Sequence, residues 1–337
     1  MKFSELVELL EDARLEGEDC ELESIALAGE AAGNQTAISF DAPVSEMQRV
    51  IVEHDVSVKG ADTILRVKHL NEQLPVILSA IEKKPSRQGI EENSWQAEDF
   101  LYKKPVYIGA GSWIGPRVKF GKNVRIDPNV IIKGDTLLGD NVYLHSGVCI
   151  ESPARIGAGT VIHANTVIGA DGYGYRQKDG RHHKVPQVGG VVIGADVEIG
   201  ALCTVDRGTI TDTEIGAGSK LDDQIHIAHN CKMGKHCLMA GKSGLSGSVT
   251  LGDYVVLGGF AAVTDHVSIT DRVTIAGRAG VTKDITEPGI TVSGFPARPH
   301  REELRFQVHQ RRVPQLRDKI KRLEKRLEQL VEESEER

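Results

Sequence analysis

An apolar residue recurs at every sixth position through most of this chain, and that period leaves few folds open. From Ile108 the series runs through Ile114, Phe120, Ile126, Ile132, Leu138, Leu144, Ile150, Ile156 and Ile162 to Ile168. It breaks at Asp171 and resumes over Ile193, Ile199 and Val205. It then slips and restarts at Ile215, from where it holds to Val281. An amphipathic helix repeats its apolar face every ~3.6 residues, so this period is not helical. It fits a short strand, a turn and another short strand, with the sixth residue pointing inward each time. Three such hexads, one to a face, close a triangular coil. The repeat then gives about nine coils, a prism ~43 Å long at a strand spacing of ~4.8 Å. Glycine often follows the apolar residue, as in IGAGSW and IGAGTV, which suits tight corners.

Composition agrees with such a solenoid. Aromatic residues are only 4% of the 337, while glycine reaches 36. The net charge of −7 excludes the basic footprint of a general nucleic-acid binder. No run approaches the ~18 consecutive apolar residues of a membrane span, so no spanning helix is expected. The opening MKFSELVELLEDARLEGEDCELE is acidic and has no apolar core, so it does not read as a secretory signal. The five cysteines lack CxxC spacing and read as small buried residues of a reducing compartment.

The flanks lack the hexad. Residues 1–100 read as a small α/β domain. Its helices are expected in SELVELLEDARLEG and EQLPVILSAIEKK, and its strands in ELESIALAGEA, TAISF and QRVIVEHDV. The polar KKPSRQGIEENSWQAED reads as a linker. Residues 101–290 are the β-helix, with an excursion at 172–191. Residues 291–337 form a C-terminal helical extension. There Leu316, Ile320, Leu323, Leu327 and Leu330 make a short a/d seam. Residues 301–326 hold ten basic and four acidic side chains, either a solvated helix face or a dock for an acidic partner.

Residues three hexads apart stack on adjacent coils, which makes the histidines interpretable. His229, in IHIAHN, has Gly247 one coil along. His266 lies two coils along and one residue over. The stripe is either three unrelated surface residues or a site for acyl transfer. In the second reading His229 is a general base, since imidazole titrates near pH ~6.5. The Gly247 N–H would stabilise an oxyanion. The excursion offers Tyr173, Tyr175, His182, His183 and Lys184 to grip a substrate or its carrier, unless it is a tolerated insertion. His226, His229 and His236 raise the question of a metal, but none is expected. His145 and His163 also stack, beside the core, and read as structural. No dinucleotide motif is present.

The hexads resemble the left-handed parallel β-helix of hexapeptide-repeat proteins, and the left hand is taken from that resemblance. GADGYGY, HKVPQVGGVVIG, CTVDRGT, KLDDQIHIAHN and SGFPARPHREELR resemble the family of UDP-3-O-(3-hydroxyacyl)glucosamine N-acyltransferases of lipid A biosynthesis. The resemblance is strong over about residues 100–315. It implies transfer of a 3-hydroxyacyl chain from acyl carrier protein to the 2-amine of the UDP-linked sugar. It assigns His229 as base, Gly247 as oxyanion donor and His266 as a supporting pocket histidine. It places Phe40 against uracil and Asp222, Gln224 and Asn230 in substrate binding. It further implies a homotrimer with sites between subunits and no bound cofactor. Phosphopantetheine would arrive on acyl carrier protein. The enzyme would be cytoplasmic, peripheral at most to the inner membrane. The sequence departs from the family in FDAPVSEMQ, which lacks the nucleotide-contacting Asn and Tyr. It departs again at Asp223, where Asn is usual, and at His226, where Gln is common. The alternatives are a paralogue that acylates another amino sugar or uses another thioester, and a non-catalytic trimeric scaffold.

Overall fold

The computed structural model describes residues 1–22, 25–27, 36–39, 44–45, 47–81, 89–151, 153–294 and 300–335. The chain divides into two compact units, Met1–Ser86 and Arg87–Arg337.

The first unit is a small α/β layer. Its sheet runs, in spatial order, Ala13–Gly17, Thr63–Val67, Arg49–Glu53, Thr36–Ser39 and Ile25–Leu27. Only Ala13–Gly17 is antiparallel to its neighbour. The helices Phe3–Val7 and Leu70–Ile81 supply Phe3, Leu6, Leu70 and Ile77 to a core with Ile38, Ile51 and Leu65. The helix expected over SELVELLEDARLEG stops at Val7. From Ala13 the chain instead pairs with Thr63–Val67, and Leu9 stays exposed. Tertiary pairing outweighs a weak helical pattern there.

The second unit is a three-faced parallel β-helix with faces of eleven, ten and nine strands. Each regular strand pairs with the one three hexads on, as Val106 does with Val124 and Ile126 with Leu144. The sixth-position residues form one continuous core: Ile108, Ile114, Ile126, Ile132, Leu144 and Ile150 are fully buried. Burying each such side chain contributes roughly 1.5–3 kcal/mol. The first coil begins at Gly89–Ile90, inside the stretch read above as a linker. Its hexads are degenerate: Gln96 and Tyr102 occupy inward places, and Trp95 stacks on Trp113 with centroids 4.8 Å apart.

Two inserts stretch the three-hexad step, each lengthening one pairing on every face, and the nine-stranded face shows both. Ala154–Ile156 pairs with Val191–Ile193, and Val191–Ile193 pairs in turn with Thr213–Ile215. The first of these is much the longer and holds the excursion, which is an antiparallel hairpin of Tyr175–Lys178 with Arg181–Lys184. Both inserts leave the prism at the corner between the second and third faces.

Glycine serves the corners differently from the expectation. Except at Gly169, just before the excursion, the glycine after the apolar residue does not have positive φ. A Cβ on Gly139 would lie 2.5 Å from the Ala158 backbone nitrogen of the next coil, and one on Gly109 would lie 2.5 Å from Pro128 N. These glycines allow backbones to approach. The left-handed conformation falls two places later, at Asn123, Asn129, Asn141, Asn165, Gln224 and Asn230 among others. Asparagine tolerates that conformation best among non-glycine residues.

The third element is a single helix, His300–Glu335. Leu316, Ile320, Leu323 and Leu327 are each more than half exposed along it in the isolated chain. Among the described residues no helix is long and apolar enough to cross a membrane.

The two kinds of corner position separate experimentally. Gly139→Ala should lower the unfolding free energy by about 1–3 kcal/mol through overpacking. Gln224→Gly, at a left-handed corner with φ 60°, should be neutral or slightly stabilising. Denaturant unfolding of the two variants measures both effects.

Candidate active site

His229 sits at the corner between the second and third faces, just after the strand His226–Ile227. Its ring is held between two glycines. A Cβ on Gly172 would lie 2.5 Å from His229 Cβ and 2.7 Å from its Cδ2. A Cβ on Gly247 would lie 2.7 Å from Cε1 and 2.8 Å from Nε2. Gly247 is one coil along, as the three-hexad step requires, and Gly172 opens the excursion. The Gly247 N–H has no hydrogen-bond partner among the described residues. The corner geometry leaves this amide out of the ladder, while Ser246 N and Ser248 N on either side are used. The residue whose backbone borders Nε2 therefore carries an unused amide.

Asn230 holds the other side of the ring, with its Nδ2 2.9 Å from His229 Nδ1. Its Oδ1 accepts from Thr209 N at 2.7 Å, and its Nδ2 donates to Thr209 Oγ1 at 3.1 Å. His266 lies in the next column, at a left-handed corner with φ 60°. Its N–H donates to Gly247 O at 3.0 Å, and its side chain is exposed. His229, Gly247 and His266 are thus contiguous through the backbone, and the first two share a ring contact.

The remaining sequence-derived residues scatter. Tyr173 and Tyr175 stand on the excursion with ring centroids 5.1 Å apart, and Tyr173 is 85% exposed. His183 is exposed on the same hairpin. Lys184 is ion-paired with Asp171, which is also 3.7 Å from Arg207 Nε, so Lys184 braces the hairpin base. Asp222 and Gln224 lie on a different edge of the prism, between the first and second faces. Asp222 Oδ2 accepts from Gly241 N at 2.9 Å, and Asp223 Oδ1 accepts from Ala201 N at 2.7 Å. Asp140 and Asp253 cap neighbouring-coil amides in the same way. Asp222 also borders a groove of about 760 Å³ with Lys220, Leu238, Met239 and Leu257. That groove does not reach His229. Phe40 lies outside the described residues, as do parts of FDAPVSEMQ.

His145 and His163 stack at 4.7 Å beside the core, His163 3.0 Å from Glu198 and His145 3.5 Å from Asp127. Burial lowers the pKa of His145. Among the described residues no group of three His, Cys, Asp or Glu side chains is placed to hold a metal. Burial pushes the Cys231 and Cys237 thiols up to about 11, which disfavours thiolate chemistry there.

Sequence reasoning missed four residues: Gly172, Gln187, Asp206 and Thr209. Their signal was position, since all lie at or beside the two breaks in the repeat. Asp206 is 6% exposed, and His226 Nε2 lies 3.7 Å from its carboxylate. Burial pushes its carboxyl up to about 6; His229 opposes the shift and Asp171 adds to it. An ordinary aspartate titrates near ~3.9. The folded chain therefore binds the proton more tightly than the unfolded chain, so stability falls as pH rises from about 4 through about 6. Asp206→Asn should raise the melting temperature at pH ~8 and leave it unchanged at pH ~3, as thermal unfolding at both values will show.

Comparison with known proteins finds similarity over part of the chain. Residues 135–170 match the model of the bacterial transferase hexapeptide, six repeats. The chain is 55% identical over 163 residues to UDP-3-O-acylglucosamine N-acyltransferase 1 of Gloeobacter violaceus, covering 48% of this chain and 46% of that protein. It is 53% identical over 164 residues to UDP-3-O-acylglucosamine N-acyltransferase of Chlorobium chlorochromatii, covering 48% and 46%. Each match thus spans about half the length of the relative. Among solved structures, an Arabidopsis UDP-N-acetylglucosamine acyltransferase superposes with a TM-score of 0.56 at 26% identity, over 61% of this chain and 71% of that one. The chain is a left-handed β-helix built of hexapeptide repeats, and about half of it is similar to the UDP-3-O-acylglucosamine N-acyltransferases.

Proposed function

We propose that the chain is an N-acyltransferase. It moves a 3-hydroxyacyl group from acyl carrier protein to the 2-amine of UDP-3-O-(3-hydroxyacyl)-glucosamine, a step of lipid A biosynthesis. The observation that carries this reading is the His229 ring packed against Gly172 and Gly247, with the amide of Gly247 left unused. The names of the relatives supply the substrate class.

The chemistry follows from that corner. The sugar amine attacks the thioester carbonyl, and His229 takes the proton the amine loses. The carbonyl oxygen gains negative charge, which the Gly247 N–H stabilises; such a donor contributes about 3–4 kcal/mol. Collapse of the tetrahedral species breaks the C–S bond. The pantetheine sulfur leaves and takes a proton from the charged ring. Asn230 orients the ring, and His266 flanks the pocket.

The other parts take complementary roles. Asp222 and Gln224 lie on a different edge from His229, so a site that uses both edges needs two chains, which supports a homotrimer. The groove beside Asp222 is lined by Leu238, Met239 and Leu257 and suits the acyl chain or phosphopantetheine. The basic stretch 301–326 suits an acidic acyl carrier protein. Tyr173, Tyr175, His183 and Lys184 border the entrance, and Phe40 would face uracil. No resident cofactor is required. The enzyme would work in the cytoplasm, at most at the periphery of the inner membrane. One observation favours a second acceptor: FDAPVSEMQ lacks the Asn and Tyr expected to contact the nucleotide, which suits a different amino sugar.

The test is transfer from 3-hydroxyacyl carrier protein to UDP-3-O-(3-hydroxyacyl)-glucosamine, with the amide product measured by mass spectrometry. His229→Ala should lower kcat by ~10²–10⁴ with the melting temperature unchanged. Near-normal transfer by that variant would refute the base assignment. No transfer by the folded parent would shift the acceptor to another amino sugar.

A further inference from the structure

Both interruptions of the repeat fall at one edge, in the two coils just before His229. Their backbones join: Val188 N donates to Thr209 O at 2.9 Å, and Gly189 N donates to Gly208 O at 3.0 Å. From this seam a chain of hydrogen bonds runs to the ring. Gln187, only 6% exposed, donates through Nε2 to the Val185 carbonyl at 3.0 Å. Its Oε1 accepts from Thr209 Oγ1 at 2.9 Å. Thr209 Oγ1 accepts from Asn230 Nδ2 at 3.1 Å, and Thr209 N donates to Asn230 Oδ1 at 2.7 Å.

Each end of the chain is a main-chain group whose direction cannot reverse: a carbonyl at Val185 and an amide N–H at Thr209. Asn230 therefore turns its amino group to the ring. Inverted, it would set Nδ2 against the Thr209 N–H, donor against donor. An amide NH₂ only donates, so His229 Nδ1 must accept. The neutral ring then carries its proton on Nε2.

We infer that Thr209 and Gln187 are positioning residues that act through Asn230 to hold the resting His229 ring as its Nε2–H tautomer. The tautomer stands on the hydrogen bonds alone; its kinetic consequence rests on the acyl-transfer reading. A ring that takes a proton at Nε2 must carry its own at Nδ1, opposite an acceptor. Asn230 presents that acceptor only by turning over, which gives up both bonds to Thr209. Substrate binding must release Asn230 before the base can act, and the hairpin anchored by Gln187 is where that release begins. The two inserts make the site reactive only when it is occupied.

Long-range proton–nitrogen NMR of the full chain, with His229→Ala for assignment, reads the tautomer. The parent should show Nε2–H. Thr209→Val loses Oγ1 and should show a measurable fraction of Nδ1–H, while Thr209→Ser should behave as the parent. Asn230→Asp sets a carboxylate against Nδ1 and should convert the ring to Nδ1–H. Nδ1–H in the parent, or an unchanged Thr209→Val, overturns the inference. The titratable groups near the ring are Asp206, with Asp171 and His226 beside it, and Asp265 and His266 two coils along. Against that constant background, the new carboxylate stabilises the protonated ring. The acidic limb of kcat/KM in Asn230→Asp should therefore move to higher pH. An unmoved limb with the predicted tautomers would overturn the base role of His229 and leave the tautomer standing.

Discussion

Coil-to-coil hydrogen bonding at a fixed step of three hexads is the constraint on which the rest of this molecule depends. Every sixth residue turns inward because three short strands close one coil, and each coil's amides find carbonyls in the next. The step leaves little freedom at the corners. Glycine follows the apolar residue because adjacent backbones approach too closely for a Cβ, as at Gly139 against Ala158. A left-handed residue two places later completes the corner, often asparagine. A fold this regular cannot easily form a concave site within one coil.

The candidate site arises where the chain breaks the rule in two successive coils at one edge. The longer insert brings Gly172 onto one face of His229 and carries Gln187 back under the corner. The shorter insert brings Thr209 to Asn230. The regular step then resumes and supplies Gly247 next to Cε1 and Nε2 of the ring. The site is therefore made by irregular coils on one side and regular coils on the other. Asp206 belongs to the irregular side. A buried carboxylate next to an imidazole costs stability above about pH 6, and such groups concentrate where function requires them.

Most of the fold is legible in the sequence because the period is so strict. The column that joins His229 to Gly247 follows from counting three hexads, and the hairpin follows from the break at Asp171. The first coil escapes notice because Gln96 and Tyr102 replace its inward apolar residues. The early helix is misread because Leu6, Leu9 and Leu10 mimic a helical stripe, while the partner that overrides it, Thr63–Val67, lies far along the chain. Gly172, Gln187 and Thr209 are invisible to periodicity for a physical reason. They sit inside inserts, where no register relates them to His229, and irregular backbone bonds, side-chain hydrogen bonds and close packing bring them together. Asp222 illustrates the reverse case. Its carboxylate is engaged in capping Gly241 N, a role that recurs along the prism at Asp140 and Asp253.

We propose that acyl transfer occurs at the corner formed by His229 and Gly247. The most direct measurement is a crystal structure with a non-hydrolysable acyl-pantetheine thioester analogue bound. Its carbonyl oxygen should lie about 2.7–3.1 Å from the Gly247 amide nitrogen, with the His229 ring beside the carbonyl carbon. An analogue bound with its carbonyl in the groove beside Asp222 and Leu238, and the His229 corner vacant, would contradict it.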